Sequence, residues 1–123
     1  PGEVAKLDPG EIERRLGDIY EILPELVDLK DRPAGSVSGG QGKMIALGRA
    51  LMIGTRLVLL DEPFQGLAPA LAARYAQALK TLRERYAETT LIVTESNPAL
   101  IENIADHTYV IERGAAEAAG PPA

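Results

Sequence analysis

Leu57-Val58-Leu59-Leu60-Asp61-Glu62-Pro63 decides how this chain is read. A short, unbroken apolar run suits a strand covered on both faces. Two adjacent carboxylates and a proline end the run, and the carboxyl ends of strands are where α/β folds place their ligands. Asp61 could hold Mg2+, directly or through water. Glu62, which strand alternation would turn the other way, could polarise a water for attack on a γ-phosphate. The plainer account is a strand that stops in two solvated acids, and short motifs of this kind need their structural context before they mean more.

Outward from this stretch the periodicity switches repeatedly. Downstream, a Gly- and Pro-marked turn from Gln65 to Pro69 precedes a helical pattern of Leu71, Tyr75, Leu79, Leu82 and Tyr86. Thr89 to Thr94 is β-branched and apolar and reads as another strand. Asn97-Pro98 looks like a helix cap with proline in the first turn, opening a helix that carries Leu100, Ile101 and Ile104. His107 to Glu112 alternates and reads as a last strand before Gly114, while Ala115 to Ala123 has no clear period. Upstream, Ile12, Leu16, Ile19, Leu23, Leu26 and Val27 recur at helical spacing, broken by Pro24, so two helices or one kinked helix are expected. A further helical stripe holds Met44, Leu47 and Leu51, with Gly54 as its stop. Alternating strands and helices imply the α/β class, with a parallel sheet built from strands near 57–60, 90–94 and 108–111.

Composition bounds the function. The 123 residues are 46% apolar and 25% charged, enough apolar material for a core. The net charge is −5 with no basic cluster, which argues against nucleic acid as a partner. The absence of cysteine excludes disulfides and thiolate sites, and His107 is the lone histidine. No apolar run approaches the roughly 20 residues needed to cross a bilayer. These features fit a cytoplasmic protein. Pro1 is not a natural start, so the chain is expected to be a piece of a longer one.

Gly42-Lys43 invites comparison with the phosphate loop G-x-x-x-x-G-K-[ST]. It fails, because Val37 stands where the first glycine is needed and Met44 where Ser or Thr would bind magnesium; no other stretch fits the pattern. Ser38-Gly39-Gly40-Gln41 offers something different. Two glycines at a helix start leave backbone N–H groups open to close approach, and the helix dipole adds partial positive charge. Ser38 can cap the helix or donate its hydroxyl to an anion. Alone, the stretch reads first as a glycine-rich turn with a serine cap.

The combination carries more than its parts. Val37-Ser38-Gly39-Gly40-Gln41, then Gly48-Arg49-Ala50-Leu51, then the strand and Asp61-Glu62-Pro63 closely resembles the ATP-binding subunits of ABC transporters. Their signature reads LSGGQ, followed by a short A-R-A-L stretch and a Walker B strand ending in DEP. The resemblance runs from about Pro9 to Pro122. Phe64-Gln65-Gly66-Leu67-Ala68-Pro69 falls where the family has its D-loop, and its Gly-Leu-Ala-Pro looks most like the ATPases of branched-chain amino acid importers, as do Pro24-Glu25-Leu26 and Ala105-Asp106. Two positions depart from the family pattern. Ala68 stands in place of the D-loop aspartate, and Ser96, ten residues before Asp106, in place of the switch histidine.

The resemblance implies a partial P-loop NTPase fold. Residues 1–54 form the helical subdomain segment with the signature, 55–114 the Walker B half of the ATPase core, and 115–123 a truncated tail. It implies ATP and Mg2+ as cofactors, Asp61 on the metal, Glu62 as the residue that activates water, and Ser38, Gly39, Gly40, Gln41 and Ser96 in the nucleotide-contact set. Ser96 is too short to copy a histidine's contact and equally serves as a local hydrogen-bonding residue beside Asn97. Glu95 is the carboxylate next in line if Glu62 is not the base. The family's partners are a second ATPase subunit, whose signature closes over the ATP held by the first, and transmembrane permease subunits that keep the ATPase at the cytoplasmic face of the membrane. The function implied is part of an ABC transporter motor importing amino acids or similar small solutes, with this chain inactive by itself because the Walker A loop is not in it. Two rivals are a non-catalytic interaction module and a piece of an ABC-type DNA-repair ATPase. The compact helical segment before Val37 and the negative charge weigh against the second.

Overall fold

The computed structural model describes residues 2, 5–54 and 56–120. Helices α1 (Pro9–Ile22), α2 (Glu25–Leu29) and α3 (Gly39–Ile53) come first, then strand β1 (Leu57–Asp61), helix α4 (Pro69–Arg85) and strand β2 (Thr90–Thr94), then strands β3 (Tyr109–Glu112) and β4 (Ala115–Ala118). The chain is α/β, as its sequence pattern implies.

Local chemistry sets the helix ends. Asp8 accepts the Glu11 N–H and Pro9 occupies the first turn of α1, using a donor-free residue where no donor is needed. Leu23 leaves the helical region just before Pro24, as the proline ring requires of its predecessor, so the upstream pattern resolves into two helices. Arg15 donates to Met52 O at 2.8 Å, placing a cation against the last carbonyls of α3. The core lies between α1, α2, α3 and α4, where Ile22, Leu23, Met44, Leu47, Leu79 and Leu82 are fully buried. Gly48 makes that packing possible, since a Cβ there would come within 2.8 Å of Leu26 Cδ1. At the rim, Arg85 bridges Asp18 and Glu21 and Arg74 pairs with Glu25, tying α4 to the first two helices.

β1 and β2 pair in parallel, Leu57 opposite Thr90 through Asp61 opposite Thr94. Their inner face, with Val58 buried and Leu60 and Leu91 against the core cluster, meets the helices. The outer face is uncovered among the described residues: Leu57, Leu59 and Ile92 are 53%, 68% and 50% exposed. The expectation of a strand covered on both faces therefore holds for one face only. An apolar run marks the two faces that must be buried; it does not say that one chain segment buries both.

The third expected strand forms at Tyr109–Glu112 but does not join this sheet. It pairs antiparallel with β4, Glu112 opposite Ala115, around Arg113 and Gly114, whose φ values of 50° and 82° are those of a tight two-residue hairpin turn. The turn chemistry overrides the expected parallel partner and draws residues 115–118 of the aperiodic tail into a strand. The helix expected after Asn97-Pro98 is a single 3-10 turn, Pro98–Leu100. Asn97 does cap it, accepting the Ala99 N–H, but so short a segment gains too few hydrogen bonds to propagate a helix. Ile101 and Ile104 pack on the core cluster from turns instead, and Arg83 on α4 holds Ile104 O and the Asp106 carboxylate.

Candidate functional site

The carboxyl end of β1 is built as a small hydrogen-bonded scaffold. The register places Thr94 beside Asp61, and the Thr94 hydroxyl donates to Asp61 Oδ1 at 2.5 Å. The same hydroxyl oxygen, at 3.1 Å, and Thr94 O, at 3.0 Å, both accept the Glu62 N–H. Glu62 has left the strand ladder with φ of 41°, a left-handed conformation that costs a non-glycine residue on the order of 1–2 kcal/mol. Its direction is thus set by the turn and not by strand alternation, which corrects the geometric reason given for separating the two acids. Glu62 O accepts from Lys43 Nζ at 2.9 Å and from Gln65 N–H at 3.1 Å. Two residues on, Glu95 Oε1 accepts the Phe64 N–H at 3.0 Å, and the Phe64 ring meets Tyr75 edge-on, 5.4 Å between centroids. Burial raises the Tyr75 hydroxyl to about 12.

Asp61 is exposed and Glu62 half-buried. Ser96 is exposed in the bend just past β2, at the same end of the sheet as the acids. No cluster of three or more His, Cys, Asp or Glu that could hold a metal exists among the described residues. Asp61 is therefore a single carboxylate donor, with one oxygen already engaged by Thr94. That donor set suits Mg2+ brought in with substrate phosphates and water, which needs only one or two protein carboxylates.

The start of α3 is arranged differently. Ser38 Oγ accepts the Gln41 N–H at 3.1 Å while Gln41 Oε1 accepts the Ser38 N–H at 2.9 Å, a reciprocal capping box. The serine-cap account of this stretch is thus fully realised. The two glycines separate in role. A Cβ on Gly40 would fall 2.1 Å from Leu71 Cδ2, so α4 packs directly over it; a Cβ on Gly39 would meet nothing within 4 Å. Only Gly39 keeps the helix end open to an approaching group. Ala68, the first departure noted in the sequence, caps α4 without any side-chain hydrogen bond.

Sequence reasoning placed the acids and the helix start but missed Thr94 and Lys43 as the groups that fix the Glu62 turn. The β-branched run of β2 signalled a strand, and only the parallel register turns Thr94 into a ligand of that turn. Lys43 was tested as a phosphate-loop lysine, and its spacing gave no hint of its reach to Glu62.

An α/β layer that ends in a fixed acid pair, beside a capped glycine helix start, is the arrangement that the sequence resemblance implies. The family match agrees: residues 8–65 fit the family described as ABC transporter, and the chain belongs to the ABC-transporter ATP-binding proteins. It is 36% identical over 107 residues to the high-affinity branched-chain amino acid transport ATP-binding protein BraG of Pseudomonas aeruginosa, covering 87% of this chain and 45% of that protein. It is 35% identical over 122 residues to the sulfate/thiosulfate import ATP-binding protein CysA of Rhodopseudomonas palustris, covering 99% and 34%. A crystal structure of the ADP conformation of an ATP-binding cassette of an ABC transporter superposes with a TM-score of 0.73 at 34% identity, covering 87% of this chain and 41% of that one. The chain thus spans less than half the length of these relatives.

Proposed function

We propose that this chain supplies the signature helix and the Walker B acids of an ATPase subunit that drives import of amino acids or similar small solutes through an ABC transporter. The observation that carries the reading is the Asp61–Glu62 turn, a strained conformation held by Thr94 and Lys43. Such strain persists where the surroundings over-determine it, and it concentrates at functional sites. Phosphoryl transfer asks for positioning and charge neutralisation. In this reading Glu62 orients and polarises the attacking water, and Asp61 holds the metal. Mg2+, when bound with ATP, neutralises phosphate charge. Ser38, Gly39, Gly40 and Gln41 serve the ATP of a second subunit, with Gly39 admitting the phosphate, and Ser96 lies at the nucleotide end of the sheet. Glu95 is tied to the Phe64 N–H through Oε1, which supports Glu62 over Glu95 as the carboxylate for the water.

The importer assignment draws on the named relatives, two of which are transport ATP-binding proteins for branched-chain amino acids and sulfate. On the same ground a permease would supply the membrane part and the ATPase would sit at the cytoplasmic face; no helix of the described residues is long and apolar enough to cross a membrane. The uncovered outer face of β1 and β2 is the surface on which the remainder of a subunit of the relatives' length would pack. The chain by itself, which contains no phosphate-loop pattern, is expected to turn over no ATP.

The test is Glu62→Gln in the complete subunit assembled with its permease. ATP binding should persist while hydrolysis falls by ~10²-fold or more, the scale of a general-base contribution. Hydrolysis at the unmodified rate would overturn the assignment.

A further inference from the structure

Lys43 has so far been given only a structural part at the turn, yet it makes a specific long-range contact at the acid end. It sits in the second turn of α3, four residues past Gly39, and is half-buried. Its ammonium donates not to a carboxylate but to the main-chain carbonyl of Glu62, at 2.9 Å and across 19 residues of sequence. Glu62 holds φ of 41°, a conformation that relaxes unless its neighbours hold it. On the other side of that residue the N–H is fixed by Thr94 O and Thr94 Oγ1. The peptide on each side of the Glu62 Cα is thereby pinned, one by β2 and the other by Lys43 of α3 together with the Gln65 N–H of the turn. Both pins are needed to aim a side chain that strand alternation no longer directs.

We propose that Lys43 is a positioning residue that fixes the Glu62 carboxylate through its own main chain and ties it to the helix whose start faces the partner's phosphate. Because α3 is one continuous helix from Gly39 to Ile53, a shift at its first turn moves Lys43 with it. Seating a phosphate at Gly39 and setting the Glu62 turn are then one mechanical event. The donor must be long and cationic enough to reach a carbonyl on another element, so Arg can replace it and Met cannot. The proposal rests on the reading of Glu62 as the residue that activates water.

The test uses the complete subunit with its permease and the variants Lys43→Met, Lys43→Gln and Lys43→Arg, alone and with Glu62→Gln. Lys43→Met should lower kcat by about tenfold, leave KM for ATP within about twofold, and keep the thermal midpoint close to the parent, the pattern of a lost transition-state interaction. Lys43→Arg should restore most of the rate. Lys43→Gln, too short to reach, should match Met and stands in for it if the Met protein fails to fold. Added to Glu62→Gln, the Lys43→Met change should cost less than about twofold in single-turnover hydrolysis, because the carboxylate it aims is gone. A full tenfold further loss in that background would show that Lys43 acts elsewhere and would overturn the proposal. So would an unchanged kcat in Lys43→Met beside a crippled Glu62→Gln. If Glu62→Gln itself left turnover intact, the assignment of Glu62 would fail first and this proposal with it.

Discussion

The two motifs of the chain are held in opposite ways. At the end of β1 the acids are gripped from outside: Thr94 from β2, Lys43 from α3 and Glu95 from the loop after β2 all reach into one turn. At the start of α3, Ser38 and Gln41 satisfy only each other, and Gly39 looks onto open space. The first arrangement spends interactions from several elements to set one strained residue. The second is locally complete and leaves its helix end available. Under the proposed function, this contrast is between a preorganised acid end and a helix end left open for an anion, the pairing that a site shared between two copies would use.

The contrast can be broken most sharply at Asp61. Asp61→Asn in the complete subunit should weaken magnesium-dependent ATP binding by ten- to a hundredfold, on the scale of losing a charged ligand interaction, and should leave magnesium-free binding unchanged. Titration of ATP with and without Mg2+ checks both halves, and equal weakening in both would detach Asp61 from the metal.

A smaller effect, on stability, is read by pH. Tyr75, packed under Phe64, has its hydroxyl raised from 10.0 to about 12 by burial. The folded state then binds the proton more tightly than the unfolded chain. The stability this gives is fully present below pH 10 and is lost as pH rises towards 12. At pH 11 the share of the loss due to Tyr75 should be about 1.4 kcal/mol, read as a falling urea midpoint. Tyr75→Phe should make that profile shallower without flattening it, because the Tyr86 hydroxyl, also raised to about 12 by burial and by its bond to Asp18, keeps its own share. An unchanged slope in the Phe variant would show that Tyr75 is not among the groups whose titration sets the profile.

The smallest expected effects divide Gly39 from Gly40. Gly40→Ala forces Leu71 aside and should destabilise by about 1 kcal/mol, at the low end for overpacking. Gly39→Ala should change stability by less than about 0.5 kcal/mol, as exposed substitutions do, yet impair ATP-driven association of two subunits. Thermal midpoints and sedimentation with ATP distinguish them. A destabilised Gly39→Ala that still associates would reverse the assignment.

Much of this architecture was legible in residue order. Pro24 within the apolar stripe left two helices or one kinked helix open, and the structure resolves it as α1 and α2. Ser38 three residues before Gln41 fixed the start of α3, and the run Leu57–Leu60 with its two acids gave β1. What failed were features decided by partners distant in sequence. Tyr109–Glu112 is a good strand whichever strand it pairs with, and only the positive φ of Arg113 and Gly114 commits it to β4. The exposure of Leu59 and Ile92 depends on which layer packs over them, which no local pattern encodes. At the site, residue identity told which groups bear charge. The left-handed turn at Glu62, and its grip by Thr94 and Lys43, depend on a register and a helix crossing that spacing alone does not reveal.

The shared-site account is tested most directly with mixed dimers of the complete subunit carrying Glu62→Gln and Ser38→Arg. If each ATP site takes its acids from one copy and its signature from the other, the arrangement of the two changes decides the outcome. Placed on different copies, they damage the same site and leave the second intact, so single-turnover hydrolysis should proceed at about half amplitude. Placed on one copy opposite an unmodified partner, they damage both sites, and hydrolysis should fall by ~10²-fold, as when the general base is lost. Equal hydrolysis by the two arrangements would contradict the account.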